Sequence, residues 1–111
     1  MDEDLRSRVD DHCGLFNAAV RSGDFTRFVA TFAPDAVMRF VNVPAGPYVG
    51  RDMIAQAYRE QPPTDTMTLT SVEALASDSA LVRFTWDAGG TGTMTVRWTG
   101  PWVAELTVSF D

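Results

Sequence analysis

The sequence predicts an α+β fold in which three helices from the N-terminal half pack on a curved, mostly antiparallel sheet. Three observations point there. Apolar residues recur at three- and four-residue spacing in separate stretches before Pro62-Pro63, and strand patterning takes over after about Thr66, with alternation clear in the last three strands. One strand-like run, Ala36 to Val41, interrupts the helical stretches. Turn signals at Ser77-Asp78, at Gly89-Gly90-Thr91-Gly92 and at Gly100-Pro101 then divide the remainder into four strands. Helix, helix, strand, helix and a run of strands suggest a sheet wrapped round helices, with a pocket between the two layers.

In the first helix Leu5, Val9, Cys13, Phe16 and Val20 form one apolar stripe, and Ser22-Gly23 ends it. Asp24 can cap a second, short helix whose Phe25, Phe28, Val29 and Phe32 share a face, before Pro34 stops it. Ala36 to Val41 reads as a strand, and Val43-Pro44-Ala45-Gly46-Pro47 forces a turn. The third helix runs from about Arg51 to Gln61, with Met53, Ile54, Ala57 and Tyr58 as its expected buried face and Pro62-Pro63 as its stop. The strand from about Thr66 to Ala76 is mixed in phase, since Met67 and Leu69 argue one way and Val72 the other; a bulge near Ser71 reconciles them. The last three strands read as a meander. Val82, Phe84 and Trp86 share a face, as do Met94, Val96 and Trp98, and Leu106, Val108 and Phe110. The opposite face carries Arg83, Thr85, Thr95, Arg97, Glu105, Thr107 and Ser109, so one side of the sheet is covered and the other is polar.

Residues 1–111 fit a single domain, long enough to bury a core without disulfides or a structural metal. A net charge of −6, with nine scattered basic residues, argues against nucleic acid as a partner. The acidic Met1-Asp2-Glu3-Asp4 is unlike a secretory signal and no apolar run approaches a membrane span, so the expected location is cytoplasmic with no membrane partner. Cys13 is the only cysteine, expected as a reduced, buried thiol; no cofactor and no metal site are expected.

Ala18-Ala19-Val20-Arg21-Ser22-Gly23-Asp24, Phe32-Ala33-Pro34-Asp35-Ala36-Val37-Met38, Gly50-Arg51 and the closing meander together resemble the nuclear transport factor 2-like superfamily. Within it the likeness is to SnoaL-like and ketosteroid-isomerase-like small proteins, over essentially the whole chain. The resemblance implies a cone-shaped, cystatin-like roll, commonly a homodimer, with a small-molecule cavity between helices and sheet. The isomerases of the family use an aspartate base and an oxyanion hole made of a tyrosine and a neutral aspartic acid. Those positions align with Phe40, Phe16 and Met94, and all three are apolar. Each acid–base group is worth roughly 10²–10⁴ in rate, so ketosteroid isomerase activity is not expected, and enzyme status is open.

The expected pocket lining is Phe16, Met38, Phe40, Tyr58, Met67, Phe84, Trp86, Met94, Trp98, Val108 and Phe110. No catalytic residue is assigned. His12, at the edge of the first stripe, reads as half-exposed, with a cavity acid or base as the alternative. Asp35 reads as satisfying local backbone, and Asp52 as favoured by the third helix's dipole. Tyr48 and Tyr58 are candidates for a polar contact in the pocket. Arg83, Arg97 and Glu105 read as cross-strand pairing rather than an anion site. Gly89-Gly90-Thr91-Gly92 reads as a hairpin turn, since no helix follows to bind phosphate. These residues point to a binder of a small hydrophobic metabolite that is steroid-, terpenoid- or polyketide-like. The alternatives are an isomerase, cyclase or hydratase working through His12, Asp35 or Tyr58, and a dimeric interaction module with a filled core.

Overall fold

In the computed structural model, which describes residues 3–111, Leu5, Val9, Cys13, Phe16 and Ala19 bury one side of α1 (Glu3–Ser22). The acidic Met1-Asp2 pair lies outside the described residues. Gly23, at φ 78°, donates its N–H to the Ala19 carbonyl at 2.8 Å and so closes the helix in the left-handed region that glycine tolerates. The Asp24 carboxylate accepts from the N–H of Thr26 at 3.0 Å and from its hydroxyl at 2.6 Å, starting the next turn. That helix, α2, is only Thr26–Val29, and its N-cap is Phe25 rather than the expected Asp24, whose bonds to Thr26 close a local turn just before it. Phe32, expected on its apolar face, and Pro34, expected as its stop, already belong to β1 (Phe32–Val41). The reason is tertiary: the Thr31 carbonyl accepts from Val103 N–H at 2.8 Å, so pairing with the last strand takes over from helical hydrogen bonding.

A two-residue strand not expected from the sequence, β2 (Tyr48–Val49), pairs antiparallel with β1. Gly50, at φ 92°, then turns the chain into α3 (Arg51–Glu60). Ile54 and Tyr58 are buried and Ala57 is half-buried, whereas Met53, expected on that face, is 48% exposed. Contact with β1, β2 and α2 on one side leaves a narrow inward stripe, and Met53 lies outside it.

The remaining strands are β3 (Met67–Ala76), β4 (Ser79–Trp86), β5 (Thr91–Thr99) and β6 (Trp102–Phe110). The single unclosed sheet has the order β2-β1-β6-β5-β4-β3. Only β1 and β6 run parallel. Register shifts mark β3 between Leu69 and Ser71, where the mixed phase called for a bulge, and again between Ala74 and Ala76. A further shift pairs Arg97 with Glu105 but Trp98 with Val103, which puts an extra residue into β6. The turn before β5 uses Gly89 and Gly90 at positive φ; Thr91 and Gly92, expected within that turn, are strand residues. On the outer face Arg97 and Glu105 meet at 3.4 Å as a cross-strand pair, while Arg83 lies opposite Thr93. No helix among the described residues is long and apolar enough to cross a membrane.

Asn17 fastens the helical layer to the sheet. Its side-chain amide donates to the Met67 carbonyl at 2.9 Å and its carbonyl accepts from Met67 N–H at 2.9 Å. The start of β3 is thereby held against the middle of α1.

Candidate functional site: an aromatic cavity with one buried histidine

Between the helices and the inner face of the sheet lies a cavity of about 570 Å³, to which α1, α3 and all six strands contribute. Of the side chains expected there, Phe16, Met38, Phe40, Tyr58, Met67, Trp86, Met94, Val108 and Phe110 line it. Phe84 and Trp98 do not. Phe84 lies across the strand over Gly92, where a Cβ would come within 2.6 Å of the Phe84 ring. Trp98 sits at the far end of β5 beneath the Arg8 guanidinium, 6.0 Å from its ring, and that arginine also donates to the Gly100 carbonyl at 2.9 Å. Leu106 and Ala57 complete the wall, and Val43, Pro44, Ala45, Tyr48, Gln61 and Pro63 belong to it as well. Leu106 was legible from its place on the face of Val108 and Phe110. The loop residues carry no periodic signal that could have found them.

The aromatic rings form a chain around the cavity. Phe16 lies 6.3 Å from Trp86, Trp86 stacks on Phe110 at 6.0 Å and 9°, Phe110 lies 6.1 Å from Phe40, and Phe40 meets Tyr48 edge-on at 6.2 Å. Such an arc presents ring faces and edges to a flat apolar guest. Phe16, Phe40 and Met94 are all on the wall, so three positions that the resemblance aligned with the isomerase acid–base groups present apolar side chains to the cavity.

His12 is the main departure from expectation. It is not half-exposed but 6% exposed, and it lines the cavity. Its ring packs 5.0 Å from Phe28 and 6.2 Å from Phe32, because α2 and the start of β1 fold over this side of α1. Burial in that apolar surround pushes its pKa down to about 4, so the imidazole is neutral at pH 7. Among the described residues its Nδ1 has no hydrogen-bond partner, a state that costs about 1–3 kcal/mol when a buried polar atom is left unpaired.

Tyr58 is buried, stacks on Phe25 at 4.9 Å and donates its hydroxyl to Met38 Sδ at 3.4 Å. Burial raises its pKa, so it too is uncharged. Cys13, at 3.9 Å from Met67 Sδ, is pushed up to about 12 by burial and by the Asp10 charge, and is an inert thiol. Tyr48 is half-buried and Gln61 exposed. Asp35 and Asp52 are exposed and do not line the cavity. Among the described residues no three metal-ligating side chains converge. A larger groove of about 850 Å³ runs between α2 and α3, but Asp24, Arg51, Asp52 and Arg59 line it with charges of both signs. The cone cavity, with no ionised side chain on its wall among the described residues, is the better-formed apolar site.

Among curated proteins none matches the chain. Solved structures do. A candidate isomerase from Bacillus subtilis superposes with a TM-score of 0.80 at 13% identity, covering 100% of this chain and 90% of its own. A ketosteroid isomerase-like protein from Erwinia carotovora gives 0.67 at 19% identity, covering 99% and 98%. A candidate polyketide cyclase from Sinorhizobium meliloti gives 0.66 at 20% identity, covering 91% and 97%. At these identities the likeness is one of fold. The SnoaL-like domain family matches residues 14–109, nearly the full length over which the helices, the sheet and the cavity between them are built. With its cystatin-like roll and six-stranded curved sheet, this chain therefore belongs to the SnoaL-like family of the nuclear transport factor 2-like superfamily.

Proposed function

We propose that this chain binds a small, predominantly apolar metabolite, of steroid-, terpenoid- or polyketide-like character, within the cone. The observation that carries this reading is the continuous aromatic arc from Phe16 to Tyr48 around an apolar cavity of about 570 Å³. That volume falls in the range of ligand pockets, about 300–1,000 Å³. At about 0.3 kcal/mol per heavy atom, a guest of roughly 20 atoms binds near −6 kcal/mol, in the tens of micromolar. The cavity counts against the alternative of a filled-core interaction module. The test is a thermal-shift screen against apolar metabolites, followed by the fluorescence of Trp86, which lines the cavity, with a Trp86→Phe control. One chemical class should raise the melting temperature by several degrees, and Met94→Asp should abolish that shift. A flat response across the panel overturns the reading.

A second reading, a small isomerase, cyclase or hydratase, draws on one observation: His12 lies on the cavity wall. Mass spectrometry of each stabilising compound after incubation decides it. Conversion that is lost in His12→Gln supports the enzyme, and unchanged compounds count against it. The polar outer sheet face belongs in this proposal to a homodimer, in a cytoplasmic protein whose single thiol stays reduced.

A further inference from the structure

We propose that the imidazole of His12 is the polar anchor of the cone cavity, taking the hydroxyl or carbonyl oxygen of an uncharged and otherwise apolar ligand. The inference rests on the binding reading above and narrows its ligand class.

The polar side chains on the cavity wall are His12, Tyr48, Tyr58 and Gln61. Tyr58 already spends its hydroxyl proton on Met38 Sδ. Tyr48 is only half-buried and Gln61 is exposed, so both remain in reach of water. His12 is different: it is 94% removed from solvent, its ring is held by Phe28 and Phe32, and its Nδ1 is unpartnered. Buried polar groups in proteins are nearly always satisfied, and an exception in a side chain that lines a cavity points to a partner that arrives with the guest. A neutral imidazole offers one N–H and one lone pair, so it can donate to a carbonyl or accept from a hydroxyl.

The ligand's charge follows from the same wall. Among the described residues no arginine, aspartate or glutamate lines the cavity, and the desolvated imidazole stays neutral at pH 7. A carboxylate or phosphate brought inside would lose its hydration with no countercharge to replace it. Affinity therefore comes from the aromatic arc and orientation from one hydrogen bond at the histidine.

His12 is the only histidine in the chain, so isotope-labelled histidine in protein without a polyhistidine tag gives a single imidazole to observe. The probes are β-naphthol, its apolar isostere β-methylnaphthalene, and β-naphthoate. Nitrogen NMR reads the ring and the indole N–H resonance of Trp86 reads occupancy of the cavity. The expected result is that both neutral probes move Trp86 but only β-naphthol moves the His12 nitrogens, while β-naphthoate moves neither. In His12→Phe the preference for β-naphthol over β-methylnaphthalene should fall by about five- to tenfold, the equivalent of one net hydrogen bond. The wild-type spectra decide the matter if that variant does not fold. If both neutral probes move Trp86 and leave the His12 nitrogens alike, the anchor is overturned and the binding reading stands. Equal binding of β-naphthoate and β-naphthol overturns the uncharged class. If no probe moves Trp86, the binding reading falls and the anchor with it.

Discussion

His12 shows how a single side chain's environment sets its chemistry. Its neighbours are the rings of Phe28 and Phe32, Tyr58 lies on the same cavity wall, and Arg8 and Asp11 line the outer groove to which His12 also belongs. The folded-state pKa, about 4, lies below the ordinary value of 6.5. Above pH 6.5 the ring is neutral whether the chain is folded or not, so its full contribution to stability is present. As the pH falls, the unfolded chain takes the proton first, and stability is lost until about pH 4. A separation of this size corresponds to about 3 kcal/mol across the window. Asp24 and Asp87 are held below the usual carboxylate range by hydrogen bonds from Thr26, and from Thr66 and Thr68, so they titrate beneath it. Urea unfolding at pH 7 and pH 4.5 should show a loss of about 2–3 kcal/mol in the wild type and a clearly smaller one in His12→Phe. Equal losses in the two proteins would sink the assignment. The sequence placed His12 beside the apolar stripe correctly. It missed the burial because the covering rings come from α2 and β1, and no local pattern reports what folds over a helix flank.

At the scale of elements, one close contact lies within the sheet and another fastens helix to sheet. Gly92 stands opposite Phe84 in the β4–β5 register, and its missing side chain makes room for that ring. A Cβ there would lie 2.6 Å from Phe84 Cζ and 2.9 Å from the Ser109 carbonyl oxygen. Gly92→Ala should therefore destabilise the protein by about 1–3 kcal/mol, measured by chemical denaturation, while Gly14→Ala, at a position with open space, should not destabilise it. The same contact explains why Phe84 leaves the cavity wall: alternation puts it on the inner face, but the gap over Gly92 draws it along the sheet. Asn17 is the second contact, and polar patterning alone would have left it on a solvated flank. Its two hydrogen bonds to Met67 predict a loss of about 1–3 kcal/mol for Asn17→Ala. Thermal unfolding would check this, and a midpoint like that of the wild type would show that the clasp does not matter.

For the whole molecule, the sheet's two faces present different surfaces. The inner face makes the cavity wall with α1 and α3. The outer face carries neutral side chains at its centre, where Leu81 lies opposite Thr95 and Thr95 opposite Thr107. A homodimer through this face should sediment at twice the chain mass of 12.2 kDa, and Thr95→Arg should return it to the monomer by placing a charge at the centre. Sedimentation of the wild type at the single-chain mass would remove the dimer from the proposal.

Apart from the two-residue β2, the element types, their order and the inner face of the meander were set by the sequence, because helical and strand periodicity and the Gly and Pro punctuation act over a few residues. The short motifs that carry the resemblance pointed to the family, and nine of the cavity's side chains were also legible. Three things were decided by the tertiary structure alone. Phe32 joined a strand, because the last strand supplied its neighbour's hydrogen bond. Phe84 and Trp98 left the wall for a glycine gap and an arginine cover. His12 turned from a flank residue into a buried, neutral group at the cavity. In each case the outcome depended on a surface contributed by residues distant in sequence, and burial and hydrogen bonding to such a surface outweigh the local preference.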